Sequence, residues 1–126
     1  MRAGEQLALS ESTMKLPEAQ RAVIAPAKIR DYLLSMSHLV GRFKEPFFSS
    51  LGYTVANWQR LEQDLLALAA SGEAEPGRES PYGQKYEIHG TLNGPFGKSA
   101  RVLTVWIVRF ETDVPQFVTA FPGETE

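Results

Sequence analysis

Apolar positions follow helical spacing through the first half of the chain and strand spacing through the second. After Pro26, Ile29, Tyr32, Leu33 and Met36 fall on one helical face, which predicts a helix over 26–36. Pro26 suits its first turn, where a missing N–H leaves nothing unpaired. Phe43, Phe47, Phe48 and Leu51 predict a second helix over 42–51, with Pro46 in the tolerated first turn and Gly52 as the terminating glycine. Thr54 is a good N-cap for a third helix over 54–70. Trp58, Leu61, Leu65, Leu68 and Ala69 form its apolar stripe, with Arg60, Gln63 and Asp64 on the wet side.

Residues 72–83 break the pattern. Glu73, Glu75, Pro76, Gly77, Arg78, Glu79, Pro81 and Gly83 read as an acidic, turn-rich internal loop, expected to be the most mobile internal segment. Beyond it, Tyr86, Ile88 and Leu92 alternate with Lys85, Glu87 and Thr91, which predicts a strand over 84–92. Asn93–Gly97 is a hairpin turn. The apolar run Val102–Val108, with Trp106, predicts a central strand over 100–109. Asp113 and Pro115 mark a turn before a last strand over 115–121, and residues 21–25 could add a short fourth.

The fold class predicted is therefore α+β, with about three N-terminal helices packed on one face of a three- to four-stranded antiparallel meander. The longest helical stripe (Trp58, Leu61, Leu65) is expected to meet Val105 and Ile107 of the most apolar strand. Residues 14–123 form one domain, 1–13 a polar leader and 124–126 a tail. Met14 opens the patterned region and is a candidate native start.

Composition narrows the chemistry. The 126 residues are 43% hydrophobic and 22% charged, ordinary for a globular chain, and include no cysteine. Thiolate catalysis and cysteine-bound metal are excluded, and with only His38 and His89 no multi-histidine metal site is expected. No cofactor is implied. No apolar run spans a membrane and no signal peptide opens the chain, so a cytoplasmic location is expected. The net charge of −2 is uneven: residues 1–60 carry eight Lys/Arg against five Asp/Glu, and residues 61–126 carry five against ten. A modestly basic first half can attract phosphate, or be an ordinary mixed surface.

The stretch His38-Leu39-Val40-Gly41-Arg42-Phe43-Lys44 sets a histidine and two permanent cations at a predicted helix N-terminus. Backbone N–H groups there favour anions, and a histidine can move a proton near neutral pH. His38 and Lys44 are thus candidate catalytic residues for phosphodiester chemistry, with Arg42 as a phosphate ligand. The alternative is a solvated loop that opens a helix. Thr104, Trp106, Thr119 and Phe121 can share one sheet face, where hydroxyls beside an aromatic could hold a ribose or base; Thr104, Trp106 and Thr119 are the candidate substrate-binding residues. The alternative places Trp106 and Phe121 in the core. His89 should point to solvent.

Several segments together resemble the domain of unknown function 6883 family. They are Lys15–Ile24, Lys28–Leu34, His38–Lys44, Leu51-Gly52-Tyr53, Tyr82–Tyr86, Leu92–Gly97, Thr104–Ile107 and Pro115–Phe121. The resemblance spans about 14–123. It implies a likeness to modules of bacterial polymorphic toxins and toxin–antitoxin pairs, and a fold like the barnase/RelE/colicin-type ribonucleases. RNA and a small antitoxin-like protein are the partners it implies, for an RNase module or for a non-catalytic binding module. Within the His38–Lys44 stretch, Leu39 stands where the family has proline. The family's second histidine is missing, with Arg42-Phe43 in its stretch, while His38, Gly41 and Lys44 match. If the missing histidine does chemistry, this chain is weakened or non-catalytic.

Overall fold

The computed structural model describes residues 14–35 and 44–123. The expectations for His38 and Arg42 fall outside these residues. Helix α1 consists of an α-helical turn, Pro26–Lys28, running directly into a wider π-helical turn, Ile29–Leu33. Helix α2 is Glu45–Ser50 and helix α3 is Trp58–Ser71. Four strands follow: β1 (Ala74–Ser80), β2 (Gly83–Asn93), β3 (Ser99–Arg109) and β4 (Pro115–Pro122). They form one antiparallel meander in the order β1-β2-β3-β4, so the α+β class and the layer of helices on a sheet are as the sequence predicts.

Two elements differ from expectation. The supposed loop is mostly strand β1, an exposed edge strand that pairs with β2 through Ala74↔Ile88, Glu75↔Glu87 and Pro76↔Tyr86 and breaks register after Pro76. Proline, glycine and charge on this strand are what an edge tolerates and a central strand does not. The possible strand at 21–25 reduces to one parallel bridge, Val23↔Gln116, made by Val23 N–H to the Pro115 carbonyl (3.0 Å) and Phe117 N–H to the Val23 carbonyl (3.0 Å). It walls off the outer edge of β4.

The helix layer covers the sheet face bearing Ile88, Leu92, Val102, Thr104, Trp106, Phe117 and Ala120. Leu61 and Leu65 are fully buried, but not against Val105 and Ile107. Helix α3 packs chiefly on β2, and Val105 and Ile107 alternate onto the far face. The run Val102–Val108 is apolar on both faces, so its pattern does not reveal which phase faces the helices. Gly90 on β2 permits the close approach of α3, since a methyl there would sit 2.7 Å from Leu68 Cδ1.

Helix ends follow their sequence signals. Gly52 closes α2 at φ 101°, with its N–H on the Ser49 carbonyl (2.9 Å). The Thr54 N–H donates to Asn57 Oδ1 (2.7 Å) as the chain enters a 3-10 turn, Val55–Asn57, ahead of α3. Asp64, expected on the wet side, is drawn inward. The buried Tyr53 hydroxyl donates to its Oδ2 (2.6 Å), and Arg60 Nε donates to the same oxygen (3.0 Å).

Burial, then the hydrogen bond to Asp64 and its charge, push the Tyr53 hydroxyl far above the usual tyrosine range, against a smaller lowering by Arg60. The folded state therefore keeps this proton where the unfolded chain releases it, near pH 10. The stabilisation is complete below that pH and is lost as pH rises above it. Urea melts at pH 8 and pH 11 should show Tyr53→Phe losing less stability over this interval than the wild type does. Equal losses would place the Tyr53 hydroxyl in water. None of the helices among the described residues is long and apolar enough to cross a membrane.

Candidate functional site

The sheet face away from the helices is set by register. Lys85, Glu87, His89 and Thr91 of β2 lie opposite Ile107, Val105, Leu103 and Arg101 of β3. Gln116, Thr119 and Phe121 of β4 lie opposite Ile107, Val105 and Leu103. Leu103, Val105 and Ile107 thus form a half-buried apolar stripe, bordered by Lys85, Arg101 and Arg109. His89 is exposed on this face, as its phase predicts.

Two of the residues singled out from sequence meet at one end of it. Lys44, immediately ahead of α2, holds its Nζ 3.8 Å from the centre of the Phe121 ring, and burial lowers its pKa. Thr119 is two residues from Phe121 and shares a hydrogen bond with the Tyr32 hydroxyl (3.2 Å). Residues two apart on a strand are about 7 Å apart, so Thr119 and the Phe121 residue that Lys44 covers lie within the span of one nucleotide. Tyr32 and Lys44 both touch this half of β4.

Thr104 and Trp106 are elsewhere. The register Thr104↔Ala120 puts them on the helix-covered face, opposite in sense to Thr119 and Phe121, so the four do not share a face. Both are 0% exposed. The Trp106 Nε1–H donates to Thr104 Oγ1 (2.9 Å), and Thr104 Oγ1 donates to the Ile88 carbonyl (3.1 Å). Their polar groups satisfy each other inside the core, which leaves no surface for a ligand. Phe121, by contrast, is 41% exposed.

A feature not singled out from sequence is a hollow of about 490 Å3 between the Val23–Ala25 segment and strands β3 and β4. Lys28, Lys85, Arg109 and Gln116 line it from four different elements, over Ile107 and Val118. Lys85, Ile107 and Gln116 form one row across three strands. Arg109 Nε donates to Gln116 Oε1 (2.9 Å), and Lys28 Nζ stands 5.5 Å from the Tyr32 ring centre. Lys85, Arg109 and Ile107 are legible as one face from period-2 phase alone, but the arrival of Lys28 is a tertiary event. Among the described residues no group of three or more His, Asp or Glu side chains is placed to hold a metal.

The fold is similar to that of a chain in the solved structure of a contact-dependent growth inhibition toxin–immunity protein complex from Klebsiella pneumoniae 342. The likeness has a TM-score of 0.63 and 15% sequence identity, and covers 86% of this chain and 98% of that one. No curated protein matches the sequence. The model of a domain of unknown function, DUF6883, matches residues 15–124, nearly the whole chain, and the protein belongs to that family.

Proposed function

We propose that this domain is a toxin-like module that lays RNA along the open face of its sheet and cleaves phosphodiesters at the Lys44–Thr119 end. The observation that carries this reading is the meeting of Lys44 with Phe121 on the stretch of β4 where Thr119 bonds the Tyr32 hydroxyl. His38 takes the proton from a ribose 2′-hydroxyl as that oxygen attacks phosphorus. The bond from phosphorus to the 5′-oxygen breaks, and the Lys44 ammonium, with its pKa lowered by burial, gives the leaving oxygen its proton. The products are a 2′,3′-cyclic phosphate and a 5′-hydroxyl, so atoms and charge balance without a metal. Arg42 neutralises the phosphate, Thr119 contacts the ribose and the exposed Phe121 ring stacks a base. Thr104 and Trp106 serve this site only through the core beneath it. The fold likeness to a chain of a toxin–immunity complex supports the toxin-like part. Purified domain incubated with fluorescently labelled RNA should yield fragments ending in cyclic phosphate; intact RNA after prolonged incubation would end the enzyme reading.

The same likeness favours one second reading, a non-catalytic module that pairs with a small antitoxin-like protein. A 1:1 complex with the product of the adjacent gene in size-exclusion chromatography, with RNA left intact, would decide for it.

A further inference from the structure

We propose that the hollow lined by Lys28, Lys85, Arg109 and Gln116 is an oxyanion site that takes a phosphate group. Resting on the RNA reading above, it anchors a phosphodiester of the same strand at a distance from the bond that is cut. The residues lining it include three cations and no carboxylate. The next carboxylate on the face, Glu87, is two residues along β2 and lies opposite Val105. Among the described residues none of the three cations forms an ion pair. Cations gathered in one hollow repel each other, and an arriving anion relieves that repulsion.

The guanidinium of Arg109 is already oriented. Its Nε–H is held by Gln116 Oε1, which leaves both terminal NH2 groups to present the planar fork that matches phosphate oxygens. Lys85 is on the neighbouring strand, and Lys28 comes down from α1 on the far side. The apolar floor of Ile107 and Val118 keeps water from that side and strengthens each charge–charge contact. This arrangement suits a compact anion with several oxygens better than it suits a flat apolar ligand.

Position gives the site its use. The Gln116 row meets β3 at Ile107 and the Phe121 row meets it at Leu103, four residues away, or about 13 Å at 3.3 Å per residue. Lys44 lies over Phe121, so the two phosphate positions are a few nucleotides apart on an extended strand. A dinucleotide fills only one of them.

The test has two arms. In the first, inorganic phosphate is titrated into 15N-labelled domain while the two Gln116 side-chain NH2 resonances, present in wild type and variant alike, are followed. They should shift and saturate in the wild type, and not in Lys85→Met/Arg109→Met, which keeps the aliphatic stems and whose dispersed spectrum verifies folding. Equal shifts in both proteins, or none in the wild type, would overturn the site. In the second arm, RNA of two and of ten nucleotides is compared. The double variant should bind the longer RNA with a salt slope smaller by about 1.4, at roughly 0.7 per cation for a single strand, and bind the dinucleotide unchanged. Saturable phosphate binding with no difference on long RNA would keep the oxyanion site and overturn its place on the RNA path. Loss of binding to both lengths would overturn the separation from the Lys44 end. The phosphate arm needs no cleavage, so it stands or falls apart from the enzyme reading.

Discussion

Truncation of Trp106 to alanine should lower stability by about 3–5 kcal/mol, the range for removing a large buried aromatic. The indole is fully buried, meets the Phe117 ring edge-on at 5.3 Å and 74°, and donates to Thr104 Oγ1 at 2.9 Å. Alanine abolishes the packing and leaves a cavity under the centre of the sheet. Thr104 keeps its own acceptor on Ile88 and loses only an incoming donor. Two further variants separate packing from polarity. Trp106→Phe keeps most of the volume and loses the N–H, and should cost much less than alanine. Thr104→Val keeps the indole and strands its N–H in an apolar site, at about 1–3 kcal/mol. Urea melts followed by circular dichroism would read all three. If Trp106→Ala melts within about 1 kcal/mol of the wild type and instead binds RNA more weakly, the indole belongs to a ligand surface and not to the core.

That pair also marks where the sequence stops being informative. A tryptophan two residues after a threonine in a β-branched run is compatible with a core position and with a base-binding face. The choice depends on which phase of β3 the helices cover, and both phases of Val102–Val108 are apolar. Where one face was polar the reading was clear: Lys85, Glu87, His89 and Thr91 alternate with Tyr86, Ile88, Gly90 and Leu92, and the register follows that alternation. The helix at 26–36 was legible in its start, at Pro26, but not in its form, because the π-helical turn Ile29–Leu33 widens the spacing on which the pattern rests. Strand β1 was hidden because Pro76, Gly77 and like-charged glutamates are signals shared by loops and guarded edges. The convergence of Lys44 on Phe121, and of Lys28 on Lys85 and Arg109, joins residues far apart in the chain, and no local pattern encodes such a meeting.

Removal of the His38 imidazole should lower the rate of RNA cleavage by roughly 10²–10⁴-fold, the usual worth of a positioned general acid or base. Lys44→Ala should fall by a comparable factor, because the ammonium that gives the leaving oxygen its proton also brings a positive charge to the site. Lys44→Arg separates those two duties. Arginine keeps the positive charge over Phe121 but does not release a proton in the working range, so it should restore RNA binding and leave kcat low. The pH profile adds a second signature. Burial lowers the pKa of Lys44, so the wild-type rate should fall on the alkaline side at a pH below that of an ordinary lysine, near 10.4. The sign follows from the role: a group that must be protonated to act is lost as pH rises through its own pKa. The measurements are initial rates on fluorescent RNA from pH 5 to 10 for wild type, His38→Ala, Lys44→Ala and Lys44→Arg, with circular dichroism to verify each fold. A Lys44→Arg variant with full kcat would reduce Lys44 to an electrostatic ligand. Wild-type rates surviving in His38→Ala would assign the proton transfer to another group, and the Tyr32 hydroxyl beside Thr119 would be the next to substitute.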